Sequence, residues 1–290
     1  MATVDRASEG RGGFAVMLPF RLAPRESSVW RFADWISLRA AVVLVVGLWL
    51  GLAVDALAAS AAAQPSILSL MVKWSPVLFG GFLFNLLISF LSMAIGTAAG
   101  IILGLFQVSL RIPLRRSAWV VTQFFRNAPW LVLLFYCILL IPFELSIFGR
   151  TVPFPDWIKA VFGLSLPVMA YVSEFVRGAV QSIPSGQWEA AESLAFSRRK
   201  TMTMIILPQC VKRVLPPWMN LYAILTMATP LVSIVGVQEV MTLTRAALGA
   251  ENRVDLLIPI YIYVLSWFFI YCYPISRYTV RLERHFTVIG

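Results

Sequence analysis

Few residues in this chain have a type and spacing suited to chemistry. Cys137, Cys210 and Cys272 lie far apart with no C-x-x-C pair and no neighbouring histidine, and the single histidine, His285, sits in the basic C-terminal tail. They read as small apolar residues, and a zinc site built from His and Cys is not available. No nucleophile stands with a base and no acids are paired at membrane depth, so an embedded enzyme lacks its machinery. No G-x-x-x-x-G-K-[ST] loop occurs in the 290 residues, so this polypeptide does not cradle ATP phosphates by that device. What remains is pairing and recognition. Glu174 and Arg177 stand at i, i+3 and can meet on one helix face. Asn85, Asn220, Thr226, Thr229 and Ser233 are polar groups inside otherwise apolar runs.

The elements that must position these groups follow from composition. The chain is 59% hydrophobic and 13% charged, with a mean hydropathy of +0.81, whereas an ordinary soluble domain has roughly 25% charged residues. Between Trp74 and Leu110 no residue is charged. A helix needs about 20 apolar residues to cross the hydrocarbon of a bilayer, and a charge at its centre costs about 2.5 to 3.5 kcal/mol on insertion scales. Charge-free intervals therefore predict an all-α integral membrane protein with six spans. They fall at about 40–59, with Asp55 near the far end, 77–106, 130–142 extended backward through Trp119, Phe124 and Phe125, 160–175, 215–235 and 256–273. Pro216-Pro217 and Pro230 are expected to break the fifth. Irregular backbone at that depth is tolerated mainly where it is buried or faces a cavity.

Orientation follows from the cations, which cytoplasmic loops hold in excess. A cytoplasmic N-terminus puts eighteen of the 24 Lys and Arg on that side, in 1–39, 111–116, 177–213 and 277–284. The other face keeps Lys73, Arg150, Lys159, Arg245 and Arg253, with Arg126 near the inner end of the third span. Both termini are then cytoplasmic. The same spread argues against nucleic-acid binding despite a pI near 10.0, because the positive charge is not gathered on one face. Arg39, the apolar run after it and Ala61-Ala62-Ala63 resemble a signal peptide with its cleavage site, although the preceding segment is unusually long. Cleavage leaves five spans in the same orientation. Gly96, Gly100 and Gly104 recur every four residues as a smooth ridge, fit for close packing within the chain or for contact with a second copy.

The polar, basic interval 177–213 stands apart, since it has local helical order between two spans. Ser182-Ile183-Pro184-Ser185-Gly186 is a turn, Gln187 to Leu194 reads as a short helix with Glu189 early in it, and a second short helix starts near Ser197, before Arg198, Arg199 and Lys200. Here a resemblance enters. Glu189-Ala190-Ala191, Ala195, Ile205 and Leu207-Pro208 are similar in type and spacing to the E-A-A, G, I-x-L-P loop of ABC-importer permeases. Ala170-Tyr171, Glu174, Arg177-Gly178, Gln181 to Pro184 and Gly186-Gln187 resemble the polar amino acid permease family in particular, as do Phe125 to Pro129 and Leu231-Val232-Ser233 to Gly236. The likeness runs from about Leu78 to the end. Ala195 replaces the family glycine, at the point of a tight turn. Met227 and Ala228 stand where many relatives have a Lys-Asp pair, so no role of that pair carries over.

The resemblance implies a five-span type I ABC importer permease core plus one N-terminal helix, in the bacterial inner membrane. It implies a cytoplasmic segment at 1–38, the added helix and outer loop at 39–76, the permease domain at 77–276 with a coupling loop at 182–208, and a basic tail at 277–290. It also implies two cytoplasmic ATPase subunits holding ATP and Mg, a second permease subunit in a homo- or heterodimer, and a periplasmic solute-binding protein. This chain itself binds no cofactor. The cargo implied is an amino acid or a closely related small polar solute, moved by alternating access. The ATPase would couple through Gln187, Glu189, Ala190, Ala191, Ala195, Arg198, Ile205, Leu207 and Pro208. Glu174 and Arg177 form either a structural pair or a gating and anchoring one. Asn220, Thr226, Thr229 and Ser233 either bond across helices or line the solute path, and Thr229 and Ser233, four residues apart, are expected to share one face of the fifth span. The alternative, an ion-gradient-driven transporter or channel, needs buried ionisable groups or inverted repeats, and only Asp55 and Glu174 offer themselves.

Overall fold

The computed structural model describes residues 65–147 and 150–287, together with Val43, Val46, Gly47, Leu50, Gly51 and Val54. The chain divides into two units, Met1–Leu50 and Gly51–Gly290. The described positions of the first are helical. The cytoplasmic segment expected at 1–38, Asp55 and the alanines at 61–63 lie outside the described residues, as does most of the first span.

Within the second unit, the long charge-free run becomes α1 (Ile67–Gln107), which starts ten residues before the expected 77 because Ser66 caps it, its Oγ accepting from the Ser69 N–H at 3.2 Å. The expected outer loop up to residue 76 is thus partly helical. Next come α2 (Ile112–Asn127) and α3 (Trp130–Leu140), which meet at 105°. The third span is therefore broken, not continuous. Pro129 is the cause, since it disfavours helical backbone at the residue before it and Ala128 is extended, with ψ at 137°. A hairpin, β1 (Glu144–Ile147) antiparallel to β2 (Arg150–Pro153), leads into α4 (Asp156–Gln181). Then follow the short α5 (Ser185–Ser193), α6 (Leu207–Ala228), α7 (Val240–Glu251) and α8 (Leu257–Thr287).

Among the described residues three helices are long and apolar enough to cross a membrane, α1, α4 and α8 with the turn before it, or four if the bent pair α2–α3 counts as one span. α6 is not in that set; Lys212 and Arg213 lie in its first half. Pro216 and Pro217 do not break it, contrary to the sequence expectation. It ends at Ala228, and Thr229–Ser233 is a 3-10 turn. The last helix runs on to Thr287, so the basic segment from 277 to 287 is helical and continuous with the sixth span.

α1 against α4 is the most extensive pairing, and glycines make it. A Cβ at Gly96 would lie 2.5 Å from the Val168 side chain, one at Gly100 2.7 Å from Met169 O and Val172 Cβ, and one at Gly104 2.7 Å from Val176 Cβ. The ridge is used inside the chain. Ile88, Leu134, Leu164, Val168, Val172, Leu221 and Leu225 form the core around it. Phe90, Leu139, Ile258 and Ile270 point outward and are exposed, which suits a surface solvated by lipid. Trp218 Nε1 donates to Thr97 Oγ1 at 2.8 Å and joins α6 to α1, and the Tyr222 and Tyr271 hydroxyls meet at 2.8 Å to join α6 to α8.

Candidate functional site

The segment expected to couple is built from the bottom as a helix, a left-handed turn and an under-wound entry into the next helix. Pro184 sets an extended residue before α5, and the helix carries Gln187, Glu189, Ala190 and Ala191. Its end is closed by two hydrogen bonds, from Ala195 N to Glu192 O at 2.8 Å and from Phe196 N to Ala191 O at 3.0 Å. That pattern requires a left-handed residue, usually glycine. Ala195 adopts it, with φ at 54°. The tight turn that the missing glycine called into question is therefore retained, at a cost of roughly 1–2 kcal/mol for a residue with a Cβ. Ser197 then caps the turn Arg198–Lys200, and Thr201–Ile206 is a π-helix that delivers the chain into α6 at Leu207-Pro208. Such inserts occur often at functional sites.

Three contacts tie this segment to the spans. Gln209 Nε2 donates to Gln187 Oε1 at 2.5 Å and to Ile205 O at 2.8 Å. Arg213 Nη1 donates to Ser182 O at 3.0 Å and to its Oγ at 2.8 Å. Beneath α5 a small apolar cluster of Ala179, Val180, Ile183, Ile206 and Cys210 takes in Trp188, Met202 and Ile205. Ala191 is buried, and Ile205 and Leu207 are half-buried. Glu189, Ala190, Ala195, Arg198 and Pro208 are exposed, as are the large apolar Leu194 and Phe196 beyond the helix end. The segment thus fixes one face and presents the other.

Glu174 and Arg177 do meet, Arg177 Nη2 donating to Glu174 Oε2 at 2.6 Å. The pair is part of a larger network. Arg126 Nη1 lies 3.4 Å from the same carboxylate, and Gln107 Nε2 reaches Glu174 Oε1 at 3.3 Å, Thr122 Oγ1 at 3.0 Å and Ser173 Oγ at 2.7 Å. The ends of α1, α2 and α4 are joined there. Gln107 and Thr122 were not singled out in the sequence, because their partners are 15 and 66 residues away.

The polar groups of the fifth span are not brought together. Thr226 is buried and its hydroxyl donates to Tyr222 O at 2.9 Å, whereas Asn220 is exposed. Thr229 is buried and Ser233 is half-buried, and both lie in the 3-10 turn, whose three-residue period separates positions four apart. The shared α-helical face expected for them does not exist. Thr229 belongs instead to a centre that sequence reading missed. Asn85 Nδ2 donates to Thr229 Oγ1 at 3.1 Å and to Glu239 Oε2 at 2.9 Å, and Asn85 Oδ1 accepts from Val240 N at 3.2 Å. Glu239 is fully buried, and its Oε1 accepts from Met241 N at 2.9 Å and Thr242 N at 3.1 Å, capping α7. A glutamate is an uncommon cap, so local pattern did not mark it. Lys159, placed by charge counting in an outer loop, is in the first turn of α4 and fully buried, 3.4 Å from the Phe143 ring centroid and 3.1 Å from Asp156 Oδ1. At the end of α7, Lys73 Nζ and Trp74 Nε1 donate to Glu251 Oε1 at 2.6 and 2.8 Å and hold that carboxyl below its usual range. Among the described residues no cluster of His, Cys, Asp and Glu could hold a metal.

Comparison with known proteins agrees with this build. Residues 96–276 match the family described as binding-protein-dependent transport system inner membrane component. The chain is 31% identical over 208 residues to the inner membrane amino-acid ABC transporter permease protein YhdY of Escherichia coli, an alignment covering 72% of this chain and 56% of that protein. It therefore spans just over half the length of that relative. To the L-cystine transport system permease protein TcyB of Bacillus subtilis it is 34% identical, over 72% of this chain and 86% of the relative. The crystal structure of an amino acid ABC transporter with histidines superposes with a TM-score of 0.65 at 26% identity, covering 77% of this chain and 99% of that one. The inward-facing MetNI methionine transporter shares the fold at a TM-score of 0.53 and 17% identity. With the family matched over more than half its length and its fold found again in a solved importer, this chain belongs to the inner membrane components of binding-protein-dependent transport systems, the non-catalytic, multi-pass permease subunits of ABC importers.

Proposed function

We propose that this chain is the permease for an amino acid or closely related small polar solute, crossing the membrane six times with both termini in the cytoplasm. It works beside a second permease subunit, two ATPase subunits that hold ATP and Mg, and a periplasmic binding protein. The observation that carries the reading is the coupling segment. A helix that exposes Glu189 and Ala190 is bound to α6 through Gln187 and Gln209, and α6 is in turn bound to the end of α4 through Arg213 and Ser182. A push on its free face, which Arg198, Leu194 and Phe196 extend, is passed to both helices. The network of Glu174, Arg177, Arg126 and Gln107 keeps the same ends of α1, α2 and α4 together as they move. The names of the relatives support amino acids as cargo. Of the polar groups in the fifth span, Asn220 and Ser233 remain the candidates for the solute path, since Asn220 is exposed and Ser233 half-buried, whereas Thr226 and Thr229 are fully buried.

The test is Glu189→Lys in proteoliposomes with the ATPase and the binding protein. The charge reverses on an exposed surface, so membrane levels stay normal while solute-stimulated ATP hydrolysis is lost. Unchanged uptake would remove the coupling role.

A further inference from the structure

The span that α6 begins is broken. α6 ends at Ala228 and α7 starts at Val240, and between them the chain is a 3-10 turn, Thr229–Ser233, followed by irregular backbone with Gly236 at a φ of 93°. This break lies at membrane depth. α7 runs antiparallel to α1, Val240 N donating to Asn85 Oδ1 at one end while Lys73 and Trp74 meet Glu251 at the other. Asn85 is about 18 Å along α1 from Lys73 and about 33 Å from Gln107. Those two positions carry polar contacts at either end of the helix, the pair with Glu251 and the network around Glu174. A hydrocarbon layer of about 30 Å centred between them encloses Asn85 and the break.

Asn85 fixes both ends of the break, because its Nδ2 donates to Thr229 Oγ1 and to Glu239 Oε2. The middle is open. Ile234, Gly236 and Gln238 are exposed, and a Cβ at Gly236 would meet nothing within 4 Å. Among the described residues nothing pairs with the Gln238 amide. Irregular backbone at membrane depth survives only where protein covers it or water reaches it, and an amide without a partner is costly against lipid tails. Glu239 is the one charged residue of the break, and it is fully buried, spent on Asn85 and on the N–H groups of Met241 and Thr242.

We propose that this break lines the water-filled solute path and that Gln238 contacts the solute there. The contact deepens the reading of the chain as an amino acid permease and rests on it. A carboxamide donates to a carboxylate and accepts from an ammonium, so Gln238 suits the zwitterionic head of an amino acid. With the Glu239 carboxylate already engaged, the break asks for no charge on the solute's side chain. Ser233, kept above as a candidate for the path, belongs to the same break.

The experiment uses the full chain with its ATPase subunits in proteoliposomes. In a background without the three native cysteines, Gln238→Cys and Phe90→Cys are exposed to the cationic thiol reagent MTSET, which reacts in water and not in lipid. Phe90 is 63% exposed and lies about 8 Å further along α1 than Asn85, so it serves as a lipid-facing control at similar depth. Labelling at position 238 is expected to be at least about tenfold faster. Equal rates, or no labelling at 238, overturn the water-lined path. In the otherwise native chain, Gln238→Leu keeps the size and removes the hydrogen bonds. Uptake of a radiolabelled L-amino acid mixture delivered by the binding protein then falls about tenfold, the loss expected for one charged hydrogen bond, while ATP hydrolysis stimulated by the binding protein persists. Uptake at the parental rate, or loss of hydrolysis along with uptake, overturns the contact. A parent chain that takes up no amino acid overturns the permease reading itself, and the contact with it.

Discussion

At the scale of single residues, Ala195 and Glu239 carry the plainest consequences. Ala195 holds a left-handed turn at a place where glycine has no Cβ to resent it. Ala195→Gly is expected to stabilise the coupling segment by about 1 kcal/mol, seen as slower hydrogen exchange at Phe196, with transport retained. Faster exchange there would mean that the alanine contributes packing instead. Glu239 satisfies two backbone N–H groups of α7 and the amide of Asn85. Glu239→Ala leaves the two backbone N–H groups without that acceptor and the Asn85 amide with Thr229 alone, at about 1–3 kcal/mol for each partner lost, so the purified subunit should melt well below the parent. An unaltered melting temperature would show that water replaces the carboxylate. Neither residue declared itself locally. Ala195 could be suspected only because a glycine was expected there, and Glu239 matters through a partner 154 positions away.

Among the elements, the contact of α1 with α4 tests whether the glycine ridge is structural. Gly100→Leu drives a side chain into Met169 O and Val172 and should destabilise by about 1–3 kcal/mol or more, as overpacking does. Gly80→Ala meets nothing within 4 Å, and in a helix interior it should be neutral or slightly stabilising, by about 0.5–1 kcal/mol. The pair is compared by yield of folded protein and thermal melting; equal loss in both would refute a specific close approach. The break between α2 and α3 and the 3-10 turn after α6 belong to this scale too. Each contains a proline, Pro129 and Pro230, but Pro216 and Pro217 leave α6 unbroken. A proline removes one donor and crowds the preceding turn; whether the helix yields depends on what packs around it.

For the whole molecule, the orientation proposed from the cations has the coupling segment face the ATPase. A cysteine placed at Glu144, the first residue of the hairpin, should react with an impermeant maleimide from outside intact cells, and one at Ser197 only after permeabilisation, both in a background without the three native cysteines. The opposite labelling would invert the molecule and detach Glu189 from any cytoplasmic partner. The exposed Phe90, Leu139, Ile258 and Ile270 fit the same picture, because such side chains are at home where lipid is the solvent.

From sequence alone came the membrane class, the spans expected at 77–106, 160–175 and 256–273, which fall within the longer helical stretches 67–107, 156–181 and 254–287, and the short exposed helix that carries Glu189. These properties are additive along the chain: the cost of a charge in lipid and the period of a helix need no distant partner. The first span lies outside the described residues and stays an expectation. Tertiary structure alone decided that the glycines serve α4 and that Thr229 closes a centre with Asn85 and Glu239. It also decided that Lys159 is buried and that Gln107 gathers three helix ends yet keeps one oxygen unpaired. Such facts depend on which side chains meet across tens to hundreds of residues, and a polar group in an apolar run carries no mark of whether its partner is lipid, water or another helix.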